Sequence, residues 1–167
     1  MYDIVLACGR WLENTPWGIT VRDSAWMYPV IQWIHFVGLS MWLGTSLTVD
    51  LRLMGVGKRR LTAAELSNSL FAWNWIAFSV AVLAGLLSFS AEATTYVQNT
   101  GFCLKLAVLT PLALIWHLAV HKNVGTWTTT EQLSAIGKWA GFIELLLWIS
   151  VVTASVGFLL TNAITHA

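Results

Sequence analysis

The chain has 167 residues, 57% of them hydrophobic and only 10% charged, with a net charge of +1. A typical soluble domain carries about 25% charged residues, so a soluble globular protein is excluded, and nothing in the charge points to nucleic acid. Eleven tryptophans in this length suit the interfaces of a bilayer and the packing of its helices.

Residues 2–13 place Ile4, Val5, Cys8, Trp11 and Leu12 on one helical face, with Asp3, Arg10 and Glu13 elsewhere. That pattern predicts a short amphipathic helix, either lying in the interface or packed as an ordinary terminal helix, with Asn14-Thr15-Pro16 as its stop. No basic-apolar-small cleavage pattern marks a signal peptide. Four apolar spans follow, at about 26–49, 66–91, 102–121 and 139–161. Each reaches the ~20 residues needed to cross a ~30 Å hydrocarbon core. The short linkers predict antiparallel neighbours. The expected fold is all-α: a single transmembrane domain over 1–167, a four-helix up-down bundle with an N-terminal interfacial amphipathic helix.

The loops set the expected orientation. Arg52, Lys58, Arg59, Arg60, Lys122 and Lys138 fall on one side and Arg10, Arg22 and Lys105 on the other. Basic residues favour the cytoplasmic side, which predicts a multi-pass membrane protein with both termini facing the periplasm or exterior. Cys8 and Cys103 would share that oxidising side, where a disulfide is chemically allowed. No CxxCH motif offers covalent haem attachment, and no GxSxG, Walker loop, HExxH or cysteine metal set is present. Four scattered methionines give little support to a thioether copper path.

Function must then lie with polar groups inside the membrane, which are costly and mark sites. From Pro29 to Val49 the first span holds no acid, lysine or arginine, yet it carries His35, about seven residues and ~10 Å in. Its imidazole is either bonded to a neighbouring helix or an axial haem ligand, which needs a neutral ring nitrogen in an apolar slot. Gly38, Ser40, Gly44, Thr45 and Ser46 leave room for close helix contact or a flat cofactor. The third span carries Lys105, His117 and His121. The two histidines are i, i+4 and share a face, and Pro111 is expected to bend the helix. Glu144 of the fourth span and Asn74 of the second fall at similar depth. An inner group of Asn74, His117, His121 and Glu144 is expected to handle protons or contact quinone. An outer group would join Gln32, His35, Lys105 and Glu92.

His35 followed by Trp42-Leu43-Gly44 resembles the H-x6-W-x-G pattern of CopD-type copper-resistance membrane proteins and of the bacterial membrane protoporphyrinogen oxidases, which bind haem b. Lys105 twelve residues before His117 is similar to the lysine-to-histidine helix of the oxidases. Tyr28-Pro29 through Asp50-Leu51-Arg52-Leu53-Met54-Gly55 resembles a family of small, uncharacterised bacterial four-helix membrane proteins. The resemblance covers the first and third spans. It implies one haem b, or two, with His35 and His117 as iron ligands and Lys105 and then His121 as the competitors for the second position. The function it implies is a membrane redox protein that passes electrons between a periplasmic partner and the quinone pool within a larger membrane complex. The rivals are a porphyrinogen-oxidising enzyme, a copper-related membrane protein and a cofactor-free accessory subunit. On the predicted orientation, a cysteine placed at Thr62 is shielded from an impermeant thiol reagent added outside intact cells; ready labelling would reverse the topology.

Overall fold

The computed structural model describes residues 2–57, 61–128 and 134–165, the last ten of these as backbone. Its helices are α1 (Tyr2–Glu13), α2 (Pro16–Asp23), α3 (Met27–Leu53), α4 (Ala63–Ala91), α5 (Ala93–Gln98), α6 (Thr100–Leu104), α7 (Thr110–Trp127) and α8 (Ala135–Thr165), with a π-helical turn at Lys105–Leu109 joining α6 to α7. No strand occurs among the described residues. Four continuous stretches, Met27–Leu53, Ala63–Ala91, Thr100–Trp127 and Ala135–Ser155, are long and apolar enough to cross a membrane. By length and composition the chain is a multi-pass membrane protein. A 27-residue helix such as α3 is about 40 Å long, so its ends reach past the hydrocarbon core into the headgroups.

Local chemistry sets the helix ends. Thr62 opens α4 with a capping box: its hydroxyl accepts from the Glu65 amide at 3.1 Å, and the Glu65 carboxylate accepts from the Thr62 amide at 2.7 Å, so two otherwise orphaned amides are paired. At the other end of the connection, Gly55 takes φ +91°. Its amide donates to Arg52 O at 3.1 Å and that of Val56 to Leu51 O at 2.8 Å, a Schellman closure that favours glycine at the left-handed position. Asn99 caps α6 through Phe102 N at 3.0 Å. Pro111 cannot donate to the preceding turn. The expected distortion lies on its N-terminal side, as the π turn in which Thr110 N donates to Lys105 O, an insertion typical of irregular or functional helix segments.

Asn14-Thr15-Pro16 starts a helix as well as ending one. Thr15 is the N-cap of α2, Pro16 its first residue, and Gly18 N donates to Thr15 Oγ1 at 3.3 Å. Helices α1 and α2 lie across the end of the bundle where α4 turns into α5. Glu13 Oε1 accepts from Thr94 N at 2.7 Å and from Thr94 Oγ1 at 2.6 Å. Ile4 and Trp11 of α1 remain 68% and 69% exposed, an apolar surface suited to the interface.

Within the bundle α3 packs on α4 and α8, and α7 on α8. The α3–α4 seam is built from small residues. A methyl on Gly38 would come within 2.9 Å of Ala81 N and 3.1 Å of Ala77 O, and Ala77, Ala81 and Ala84 of α4 are buried. Such seams let backbones approach where no hydrophobic force drives association. Gly44, by contrast, has nothing within 4 Å of its missing methyl. The central layer is Trp42, Ala77, Ala113 and Trp148; a second layer of Leu53, Ala63, Val120, Val124 and Ala140 fills the end from which the basic 54–62 connection leaves, called here the basic end. Gly38→Ala is expected to cost about 1–3 kcal/mol by forcing backbones apart, measured by unfolding in mixed micelles, while Gly44→Ala leaves stability unchanged or raises it by up to ~1 kcal/mol.

Candidate functional site

Every fourth residue of α3 faces inward: Gly38, Trp42, Ser46 and Asp50 are all buried. This stripe meets Ser67 and Asn74 of α4, His117 and His121 of α7, and Glu144 and Trp148 of α8. The result is a polar cluster in the part of the bundle between its centre and the basic end.

The hydrogen-bond directions in it follow from one group. An indole N–H only donates, and Trp42 Nε1 donates to Asn74 Oδ1 at 3.1 Å. The Asn74 amide is thereby oriented, and its Nδ2 donates to Thr45 Oγ1 at 2.8 Å, Ser46 Oγ at 2.9 Å and Trp42 O at 3.3 Å. His117 Nε2 lies 3.2 Å from the same Asn74 Oδ1. Facing an acceptor, that nitrogen must carry hydrogen. The other ring nitrogen, Nδ1, lies 2.5 Å from Glu144 Oε1, which also accepts from Trp148 Nε1 at 3.4 Å. One proton sits between His117 and Glu144, making either an imidazolium–carboxylate pair or a neutral imidazole with a carboxylic acid.

The pair is enclosed. His117 is 7% exposed and Glu144 and Asp50 are each 1% exposed. Trp42 and Trp75 lie with ring centroids 6.0 Å from that of His117, and Trp148 at 6.4 Å. Asp50 stands where α8 packs closely on α3, a methyl on Gly141 lying 2.9 Å from Asp50 O, which puts its carboxyl in the same enclosure as that of Glu144 one turn along α8. Two neighbouring buried carboxyls resist being ionised together. Oδ2 of Asp50 and Oε2 of Glu144 receive no N–H or O–H from another side chain or from the backbone among the described residues. Glu144, though not Asp50, lines a cavity of about 20 Å³, together with Thr45, Ser46, Ser67 and His121 among others. A water molecule needs ~10–15 Å³ and two or more polar partners, and both conditions are met. His121 borders the cavity, with Nδ1 2.7 Å from Ser67 Oγ and its ring stacked on Phe71 at 4.8 Å.

The expected inner residues, Asn74, His117, His121 and Glu144, thus stand together. Asp50, Ser67 and the two indole donors were not anticipated. Asp50 reads in sequence as the first charge past the span, yet the four-residue repeat Gly38, Trp42, Ser46, Asp50 was there to place it on the buried face.

The outer residues form no such group. His35 Nδ1 is 2.7 Å from Ala81 O; a carbonyl only accepts, so Nδ1 is protonated. The ring occupies the notch left by Gly85, whose missing methyl would lie 2.9 Å from its Cε1. Gln32 Nε2 donates to Tyr28 Oη at 3.0 Å, and Tyr28 pairs with Tyr96 at 3.2 Å. Burial lifts the Tyr96 phenol above its ordinary range. Lys105 Nζ lies 4.5 Å over the Phe102 ring, and Glu92 is exposed. Cys8 and Cys103 are separate thiols.

His35 and His117 have separate partners, and Trp42, which packs against His117, is seven residues from His35, or ~10 Å along α3. Both nitrogens of His117 are also engaged, with Glu144 and Asn74. His121 keeps its Nε2 outside the hydrogen bonds of the described residues, and so does His35. No group of three or more histidine, cysteine or acidic side chains is arranged to hold a metal ion among the described residues.

The cluster makes a stability prediction. Asn74→Ala leaves the Trp42 and His117 N–H groups bare, at about 1–3 kcal/mol each, read from unfolding in mixed micelles; a loss below ~1 kcal/mol would mean that water replaces the amide. Comparison with protein-family models, with curated proteins and with solved structures finds no match to this chain.

Proposed function

We propose that this protein holds and exchanges a proton inside a bacterial inner membrane, as a proton-handling subunit of a larger membrane complex. One observation carries the reading: His117 is clamped between Asn74 and Glu144, while Oε2 of Glu144 and Oδ2 of a second buried carboxyl, Asp50, are left without a donor among the described residues. An ionisable group in a membrane span is expensive and marks a function by default. Three of them gathered in one buried cluster, with Glu144 beside a water-sized space, make a place where a proton is kept and released. Asn74 and Trp42 orient the imidazole, the three indoles exclude bulk water, and Glu144 and Asp50 share the labile proton. The complex supplies the step that uses it; electron transfer to quinone is the kind of reaction that consumes protons at such a depth. The basic 54–62 connection supports a cytoplasmic position for the end nearest the cluster.

A second reading keeps the haem, with His35 as its only ligand from this pair. It is favoured by the Nδ1–H bond to Ala81 O, which leaves Nε2 with the lone pair that an iron requires. When bound, a haem would supply one-electron chemistry.

The proton reading is tested by infrared difference spectra of the full chain in lipid, taken across stepped pH. A protonated-carboxyl band should titrate, and Glu144→Gln and Asp50→Asn should each remove or shift it. Spectra without any carboxyl response to pH would leave the cluster a purely structural network. The haem reading is tested by a reduced-minus-oxidised absorption spectrum of protein expressed with its partners. A b-type signal lost in His35→Ala would support it, and a featureless wild-type spectrum would end it.

A further inference from the structure

His117 is the residue that a sequence reader would choose to relay the proton, but it has no free position. Nε2 carries hydrogen toward Asn74 Oδ1 and Nδ1 faces Glu144. A relay must take a proton on one side and give one up on the other, and the Asn74 oxygen is already shared with Trp42. The atoms with lone pairs to spare are instead Oε2 of Glu144 and Oδ2 of Asp50. Glu144 lines the cavity of about 20 Å³, and so do His121 and Ser67. His121 lies four residues from His117 and only six from the end of α7, ~9 Å from the basic end, and it is partly exposed where His117 is buried.

We infer that protons reach the carboxyl pair through this cavity, entering past His121 and Ser67 and landing on Oε2 of Glu144, with His117 acting as a positioning residue and not as the relay. The inference rests on the carboxyl pair proposed above. The balance is simple. A proton leaves bulk water at the basic end, is carried by water in the cavity, and forms an O–H bond at Glu144; the pair then holds one proton more, and release runs the same route backwards. The ionisable groups lining the path are His117 and His121 from α7 and Glu144 from α8, with the buried Asp50 of α3 behind it. From α4 come only the neutral Ser67 and Asn74. Water accepts and donates along such a path when polar partners hold it, and the hydroxyls of Thr45, Ser46 and Ser67 provide them.

The test is hydrogen–deuterium exchange of the protonated-carboxyl infrared band, followed after transfer of the full chain in lipid into deuterated buffer. Two substitutions fill the cavity from different helices: Ser67→Val from α4 and Val49→Phe from α3, where Val49 also lines the space. Each should slow exchange about tenfold or more while keeping the band, because a closed wall leaves exchange to local opening of the bundle. His117→Gln should move the band, since the partner of Glu144 has changed, and leave the exchange rate near that of the unaltered chain. A filled variant that retains its helical circular dichroism and exchanges at the unaltered rate overturns the route, and one folded variant of the two decides it. Slowed exchange in His117→Gln with unslowed exchange in a filled variant would make His117 the relay after all. If the unaltered chain shows no protonated-carboxyl band at any pH, the pair itself is absent, and the proposed function fails before the route does.

Discussion

The hydrogen bond from the Trp42 indole to Asn74 Oδ1 is the constraint on which the polar interior depends. It has one possible direction, because the indole has no acceptor. It therefore fixes the asparagine amide, which fixes the protonated nitrogen of His117, which in turn points the remaining nitrogen at Glu144. Four helices contribute to that sequence of bonds: α3, α4, α7 and α8. The same bonds tie the bundle at its centre, where the helices otherwise meet through alanine, glycine and aromatic contacts. In a membrane, where apolar side chains gain little by leaving lipid, packing and interhelical hydrogen bonds carry much of the association. The proposed function and the architecture rest here on the same contacts.

The fold was legible because long apolar runs separated by short polar linkers have few solutions in a bilayer. The inner site was legible for a related reason: Asn74, His117, His121 and Glu144 are the residues that lipid would reject. Depth counting set Asn74 level with Glu144, and the shared helical face of His117 and His121 grouped those two. Asp50 was missed because a charge next to an arginine at a span end reads as a headgroup residue, and only the packing of α8 through Gly141, whose missing methyl would lie 2.9 Å from Asp50 O, draws it inside. The start of α2 at Thr15 was missed because Asn-Thr-Pro serves equally as a stop and as an N-cap with proline at the first helical turn.

The resemblance implies a pairing of His35 with His117, and in this structure the two histidines have separate partners. Two histidines on parallel spans look like a ligand pair until their partners are known. His35 spends Nδ1 on the backbone of α4 in a notch made by Gly85, and His117 spends both nitrogens two helical turns away along α3. What remains at His117 is acid–base chemistry: a proton shared with a carboxylate, kept from bulk water by three indoles. The low dielectric that makes such a group costly also makes its proton sensitive to any nearby charge. That sensitivity is what a proton-coupled partner would use.

The most direct test of the account is the protonation pattern of the His117 ring, read by solid-state ¹⁵N NMR of histidine-labelled protein in lipid, with His117→Gln for assignment. The account requires Nε2 to carry hydrogen at every pH where the protein is folded, with any change confined to Nδ1. A neutral ring with hydrogen on Nδ1 and a bare Nε2 would contradict it, because Asn74 would then be oriented by something other than Trp42.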